Sequence, residues 1–381
     1  MIKLPLVLLF TAMTALSWGV YGILLHEGTD RLGHSSLRAF IGVGIAYFLI
    51  AVLVPAIWLG SKSEKGHWSV YGTILSLLAG TVGALGALGV TLAVAFKGDP
   101  IYVMPIVFGG APVVNTLVTS WINKSFSQIK PLFLLGLALV ALGAVGVLIN
   151  KPKPSKPVAA DAKPVAADAK AATEDVKSVD EAKVEVKENS NPFAIGASIL
   201  LAVVCWGAYG PVLHIGQTKM GGSRLRPFCC VGIAYFIIAV AVPVMILMGS
   251  PDDGFELGWR DVAPGMMWSI FAGAAGALGA MGIILAFNYG GKPVFVMPLV
   301  FGFAPVVNTF TSMTVKGTLS QINPYFIGAL LVGIVGAVTV LVFAPKAKPH
   351  GPAPTTPPTT PPTTPPTTPP TTPPSITPAS T

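Results

Sequence analysis

Residues 103–116 read VMPIVFGGAPVVNT and residues 296–309 read VMPLVFGFAPVVNT, identical at 12 of 14 positions with a shift of 193. A second pair of stretches, 18–55 and 206–243, matches at 23 of 38 positions with a shift of 188. It aligns Trp18 with Trp206, Tyr21 with Tyr209, His26 with His214, Arg38 with Arg226, Tyr47 with Tyr235 and Pro55 with Pro243. Self-similarity at a constant spacing is the mark of a duplicated unit, so the chain is two copies of one design.

Each copy is built from apolar stretches. Ten of them, at about 4–26, 36–59, 69–95, 101–122, 130–149, 193–215, 227–249, 262–288, 294–315 and 324–344, approach the roughly 20 residues that a helix needs to cross a bilayer core. Of the 381 residues, 52% are hydrophobic and 10% charged, against about 25% charged in soluble domains. That composition excludes a water-soluble enzyme. The stretch after Met1 imitates a signal peptide, but its equivalent at 193–213 is internal, so it is read as the first span.

Five spans per copy is an odd number. The second copy then enters from the side opposite the first, and the two are related by an axis in the membrane plane. The expected fold is an all-α integral membrane protein with ten transmembrane helices arranged as two five-helix inverted repeats. Its parts are a first repeat (1–150), a charged linker (151–192), a second repeat (193–345) and a Thr/Pro-rich tail (346–381). The linker holds eight basic and eight acidic residues between Lys151 and Glu188 and writes PVAADAK twice; its low apolar content predicts disorder. The tail's TTPP repeats predict an extended, unfolded segment.

Charge sets the expected orientation. On the side of Met1 lie Lys3, Lys62, Lys65, Lys124, Lys130, Lys219, Arg224, Arg226, Lys292, Lys346 and Lys348, eleven cations; the other side has Arg31, Arg38, Lys97, Arg260 and Lys316, five outside the linker. The positive-inside bias predicts a multi-pass protein of the plasma (inner) membrane with cytoplasmic N- and C-termini and an external linker. The cations are scattered singly over loops and form no basic stripe with interleaved aromatics, so nucleic acid is not an expected partner. The lipid bilayer is.

No Asp, Glu, Lys or Arg falls in the middle of any span. Carboxylate relays of the kind used in proton pumps therefore have no residues to run on, and a largely uncharged cargo fits better. The fourth and ninth spans hold the strongest site candidates. Each carries two prolines seven apart, Pro105 and Pro112 or Pro298 and Pro305, which remove helix hydrogen bonds and predict a bent or unwound middle. Pro112, Asn115, Thr116 and Thr119 then share one helical face, as do Pro305, Asn308, Thr309 and Ser312. An amide and hydroxyls offer donors and acceptors to a polar cargo; the competing reading is that the asparagines bridge helices.

The first and sixth spans share W-G-x-Y-G-x-x-L-H. Trp18 and Tyr21, like Trp206 and Tyr209, lie on one face beside a glycine and suit a cavity wall that packs on rings; an interfacial aromatic belt is the plainer alternative. Glycine at every third position, Gly80 to Gly89 and Gly273 to Gly282, predicts close helix packing and no phosphate loop. His26 and His214 sit at span ends, and Cys205, Cys229 and Cys230 read as small buried hydrophobes. With no paired acids, nucleophile–base pair or metal-ligand cluster, neither an enzyme, a catalytic residue, a cofactor nor a metal is expected.

The duplicated five-span units, the early Trp18-Gly19 and Trp206-Gly207, and the repeat endings PLFLLGLALVALGAVGVLI and PYFIGALLVGIVGAV resemble the drug/metabolite transporter superfamily, specifically its ten-span EamA-like permeases. The resemblance covers everything but linker and tail, and its weight lies in the architecture. Such permeases often carry Glu before the last helix of each half, where this chain has Asn123-Lys124 and Lys316-Gly317. The resemblance implies alternating access around a central cavity, with the fifth and tenth spans peripheral. On these residues the substrate contacts would be Trp18, Tyr21, Pro112, Asn115, Thr116, Trp206, Tyr209, Pro305, Asn308 and Thr309. The expected function is a secondary transporter, a permease for a small polar, largely uncharged, sugar-like metabolite; the sequence leaves the coupling ion open. The alternative is a membrane sensor or scaffold without transport activity, and deleting residues 346–381 separates the two, because a carrier keeps transporting.

Overall fold

Prolines write the helix starts. Pro100, Pro131, Pro192, Pro293 and Pro324 are each the first residue of a helix, where a missing N–H costs nothing and the fixed φ suits the turn. Side-chain caps complete starts as well: Ser35 accepts from Arg38 N, Ser69 from Gly72 N, and Asn191, ahead of Pro192, from Ala194 N. In a computed structural model that describes residues 3–61, 64–122, 124, 126–150, 191–249, 259–291 and 293–343, the helices in order are α1 (Leu4–Arg31), α2 (Ser36–Phe48), α3 (Val54–Ser61), α4 (Val70–Ala95), α5 (Pro100–Ile122) and α6 (Pro131–Ile149). The second copy supplies α7 (Pro192–Lys219), α8 (Leu225–Phe236), α9 (Val242–Gly249), α10 (Trp259–Asn288), α11 (Pro293–Val315) and α12 (Pro324–Val342). Nearly all of the linker and the whole tail lie outside the described residues.

Seven helical stretches are long and apolar enough to cross a membrane, and three shorter apolar ones lie within α6, α11 and α12. Their outward faces carry exposed Leu, Ile, Val and Phe, among them Leu9, Ile57, Val70, Leu142, Phe193 and Leu331. In water such a surface would aggregate; it belongs in lipid, and the chain is a multi-pass membrane protein. Among the described residues no strand occurs.

Between α2 and α3 the chain passes through a π-helical turn, Leu49–Leu53, and between α8 and α9 through its match, Ile237–Ala241. Each precedes a proline, Pro55 or Pro243. The ring has no N–H to give and collides with the carbonyl four residues back, and a locally widened turn is how a helix absorbs it. The paired prolines of α5 and α11 act differently from the expectation of an unwound middle: both helices run unbroken through them. One reason is visible at Pro112, whose carbonyl also accepts the Thr116 hydroxyl at 2.9 Å, tying the turn across the proline.

The two copies do not pack as separate bundles. Helix α1 packs on α10 and α11 of the other copy, α7 packs on α4 and α5, and α6 packs on α12. The glycine stripes explain why. On α10, Gly273 meets Val43, Gly276 meets the Tyr47 ring, Gly279 meets the Trp18 indole and Gly282 meets Thr14. On α4, Gly80 meets Val231, Gly83 meets Tyr209 and Tyr235, Gly86 meets Trp206 and Gly89 meets Ala202. A side chain at six of these eight would occupy space already taken, and at Gly83 and Gly276 it would press on tyrosine rings, so close packing holds helices together where lipid offers no hydrophobic drive between them. Matching residues also meet one another: Tyr47 stacks on Tyr235 with centroids 3.8 Å apart and planes at 7°, and Phe48 lies 4.8 Å from Phe236.

Candidate binding cavity

The motif W-G-x-Y-G is a packing instruction with a functional by-product. Its first glycine lies under a valine of the opposite copy, Gly19 under Val307 and Gly207 under Val114. Its second lies under an asparagine: Gly22 faces Asn308 Oδ1, and Gly210 faces Asn115 Nδ2. Each indole then reaches across to a glycine-stripe helix. Trp18 Nε1–H donates to the Gly276 carbonyl at 3.0 Å, and Trp206 Nε1–H donates to the Gly83 carbonyl at 3.1 Å. With their polar edges satisfied, the ring faces are left for the interior.

These faces help enclose a cavity of about 580 Å³. Trp18, Tyr21, Phe108, Trp206, Tyr209 and Phe301 supply much of its wall, with Tyr47 and Tyr235 behind them. The rings form a chain: Phe108 lies 6.3 Å from Trp18, from Trp206 and from Phe301, and Tyr21 lies 6.1 Å from Trp206. Polar groups are few: Asn115, Thr119, His214, Gln217 and Arg224, with the Tyr21 hydroxyl buried and without a protein partner. No carboxylate lines it among the described residues. A mostly apolar concavity with a few placed polar groups is the usual form of a small-molecule site.

The cavity is off-centre. Its lining includes Ile122 at the end of α5, Gln217 near the end of α7, Ile284 toward the end of α10 and Arg224 at the α7–α8 turn. These belong to the end of the bundle where Lys3 N–H donates to Tyr289 O and Ser69 Oγ–H to Lys219 O. Arg224 Nη1 donates to Ile284 O at 3.4 Å; burial lowers its pKa from the ordinary arginine value, and Glu64 opposes that shift. Glu64 joins the copies here: its carboxylate accepts from Ser223 Oγ at 2.7 Å, Arg224 N at 3.0 Å and Leu225 N at 3.2 Å, and pairs with Arg226 at 3.3 Å.

The opposite end is tied across the copies. Lys316 Nζ pairs with Asp99 at 2.8 Å, joining the end of α11 to the start of α5. Deeper in, Asn308 Nδ2 donates to the Pro100 carbonyl at 2.7 Å, fully buried. Nearby His26 lies 3.4 Å from Asp30.

Six of the ten residues singled out from the sequence come together on the cavity wall: Trp18, Tyr21, Pro112, Asn115, Trp206 and Tyr209. Four do not. Thr116 is buried and bonded to Pro112 O, and Asn308 bridges to Pro100. Thr309 is buried with its hydroxyl unpartnered. Pro305 borders a separate void of about 20 Å³ between α5, α6, α11 and α12. The repeated sequence promised two equal asparagines; the structure gives one to the cavity and one to a closed contact. Sequence reasoning passed over Phe108 and Phe301, although both sit inside the most repeated stretch, and Glu64, which lies in a loop read only for its lysines.

No family model matches this chain, and no curated protein matches it.

Proposed function

We propose that the protein is a secondary membrane transporter that moves a small polar, largely uncharged, ring-bearing metabolite by alternating access. In this reading ten helices cross the membrane as two five-helix inverted repeats, and the cavity is the substrate site, open toward the end that carries Lys3. The observation that carries it is the cavity itself, about 580 Å³ and lined toward one end of the bundle, while Lys316 to Asp99 and Asn308 to the Pro100 carbonyl tie the copies at the other. Its chemistry supports an amphipathic cargo. Aromatic faces take the flat or apolar side of a ring, while Asn115, Thr119 and Gln217 offer hydrogen bonds. Arg224 is the charged exception and lies outside the spans, at the turn between α7 and α8. Architecture of this kind also agrees with the resemblance to EamA-like permeases.

The test has two steps. Thermal shift of the purified protein against sugars, nucleosides, amino acids and amines identifies a ligand, and uptake of that ligand into proteoliposomes follows. Asn115→Leu is expected to abolish the shift and the uptake while the protein still reaches the membrane. Unchanged binding and uptake by this variant would sink the site assignment.

A further inference from the structure

The two copies of the VMPxVFGxAPVVNT stretch carry the same asparagine into two different situations, and the difference has a logic. Asn308 donates to the carbonyl of Pro100, the first residue of α5, at the closed end. The shift of 193 that aligns the stretches maps Asn308 onto Asn115 and Pro100 onto Pro293, the first residue of α11. Asn115 packs over Gly210 as Asn308 packs over Gly22, yet it lines the cavity, and among the described residues its carboxamide makes no hydrogen bond. One latch is made and its twin is open.

Building on the transporter reading, we propose that Asn308 and Asn115 alternate as gate latches: opening the far end breaks Asn308 to Pro100 O, and closing the near end makes Asn115 to Pro293 O. The same mapping shows that the ends are unequal. Asp99 and Lys316, an ion pair at the closed end, correspond to Lys292 and Asn123, which have no acid between them. A duplicated pair of latches with one electrostatic lock makes the state with the Lys3 end open the resting one. The lock is partly exposed, so it biases the equilibrium about two- to fivefold. The buried latch is worth more, about tenfold or beyond, because removing it strands polar groups away from water.

Paired spin labels report both gates without a substrate. In the full chain with Cys205, Cys229 and Cys230 replaced by Ala, one pair is placed at Trp121 and Tyr289 and its repeat mate at Thr314 and Phe96, and distances are measured in lipid nanodiscs. The parent should show the 314–96 pair short and the 121–289 pair long. Asn308→Leu should reverse both in a large fraction of molecules. The double change Asp99→Lys with Lys316→Asn, at partly exposed positions of which Asp99 also caps α5 at Ile101 N, gives the two ends the same residues there and should raise the reversed population about two- to fivefold. Distances unchanged in both variants overturn the latches and leave the transport reading to its own uptake test. A 314–96 pair that lengthens while 121–289 stays long overturns alternating access, and the exchange with it.

Discussion

Gly279→Ala asks the most of the packing described above. A methyl on Gly279 falls inside the Trp18 indole, against Cδ1 and Nε1, so α1 and α10 must separate or the indole must turn. Forcing one extra carbon into a filled site costs about 1–3 kcal/mol. Turning the indole also weakens its bond to Gly276 O, worth about 0.5–1.5 kcal/mol net. Alanine's better helix propensity returns at most about 1 kcal/mol. The expected net loss is about 1–3 kcal/mol, and Gly86→Ala, set against Trp206, should lose the same. Gly196→Ala and Gly328→Ala are the controls, helix positions with no neighbouring atom within 4 Å of the new carbon, and should be neutral or slightly stabilised. Equilibrium unfolding in mixed micelles with increasing dodecyl sulfate, followed by circular dichroism, separates the two classes. Adding Trp18→Leu to Gly279→Ala should recover part of the loss, since neighbours that share one space are not additive. If all four glycine variants fall within about 0.5 kcal/mol of one another, the glycine stripes are not what holds the copies together.

Three further outcomes are expected. Cysteine at Asn115 or Thr119 should react with a water-soluble maleimide in the folded protein, while cysteine at Asn308 or Thr309 should react only after denaturation; equal rates would contradict the off-centre cavity. Glu64→Ala removes the acceptor of two backbone amides, a hydroxyl and the Arg226 guanidinium, and should destabilise by about 2–4 kcal/mol in the same unfolding assay, with Gln restoring part of it. A double-mutant cycle on Tyr47→Ala and Tyr235→Ala should return a coupling of about 0.5–1.5 kcal/mol from their stacked rings; no coupling would place the contact outside the stable fold.

Much of the architecture was legible because membrane crossing leaves coarse marks: apolar length and duplicated motifs place the helical stretches to within about five residues, with α2 and α3, and α8 and α9, each read as one span. The π turns before Pro55 and Pro243 were not, since a proline in an apolar run signals a kink without saying how the chain relieves it. The site divided along a physical line. Trp18, Tyr21 and their mates could be read from helical spacing because they lie on one face of one helix. The unequal fates of Asn115 and Asn308 could not, because the residues around the two are nearly the same, 12 of 14 in that stretch, and what each meets depends on how the copies pack. Likewise Lys316 was out of reach as the partner of Asp99: their pairing depends on which ends of α5 and α11 meet.

The bond from Trp18 to Gly276 spans 258 residues of chain, and that separation shapes how the protein is made. When α1 enters the bilayer, the helix whose glycines receive its indole has not been synthesised, and α4 in turn presents its own groove to lipid until α7 arrives. The first half therefore has no finished interior to stop at; it is held open as an unfilled mould for the second. Long-range closure of this sort is slow and leaves surfaces exposed meanwhile. Each half made alone should be short-lived, and the two made together as separate chains should rescue one another.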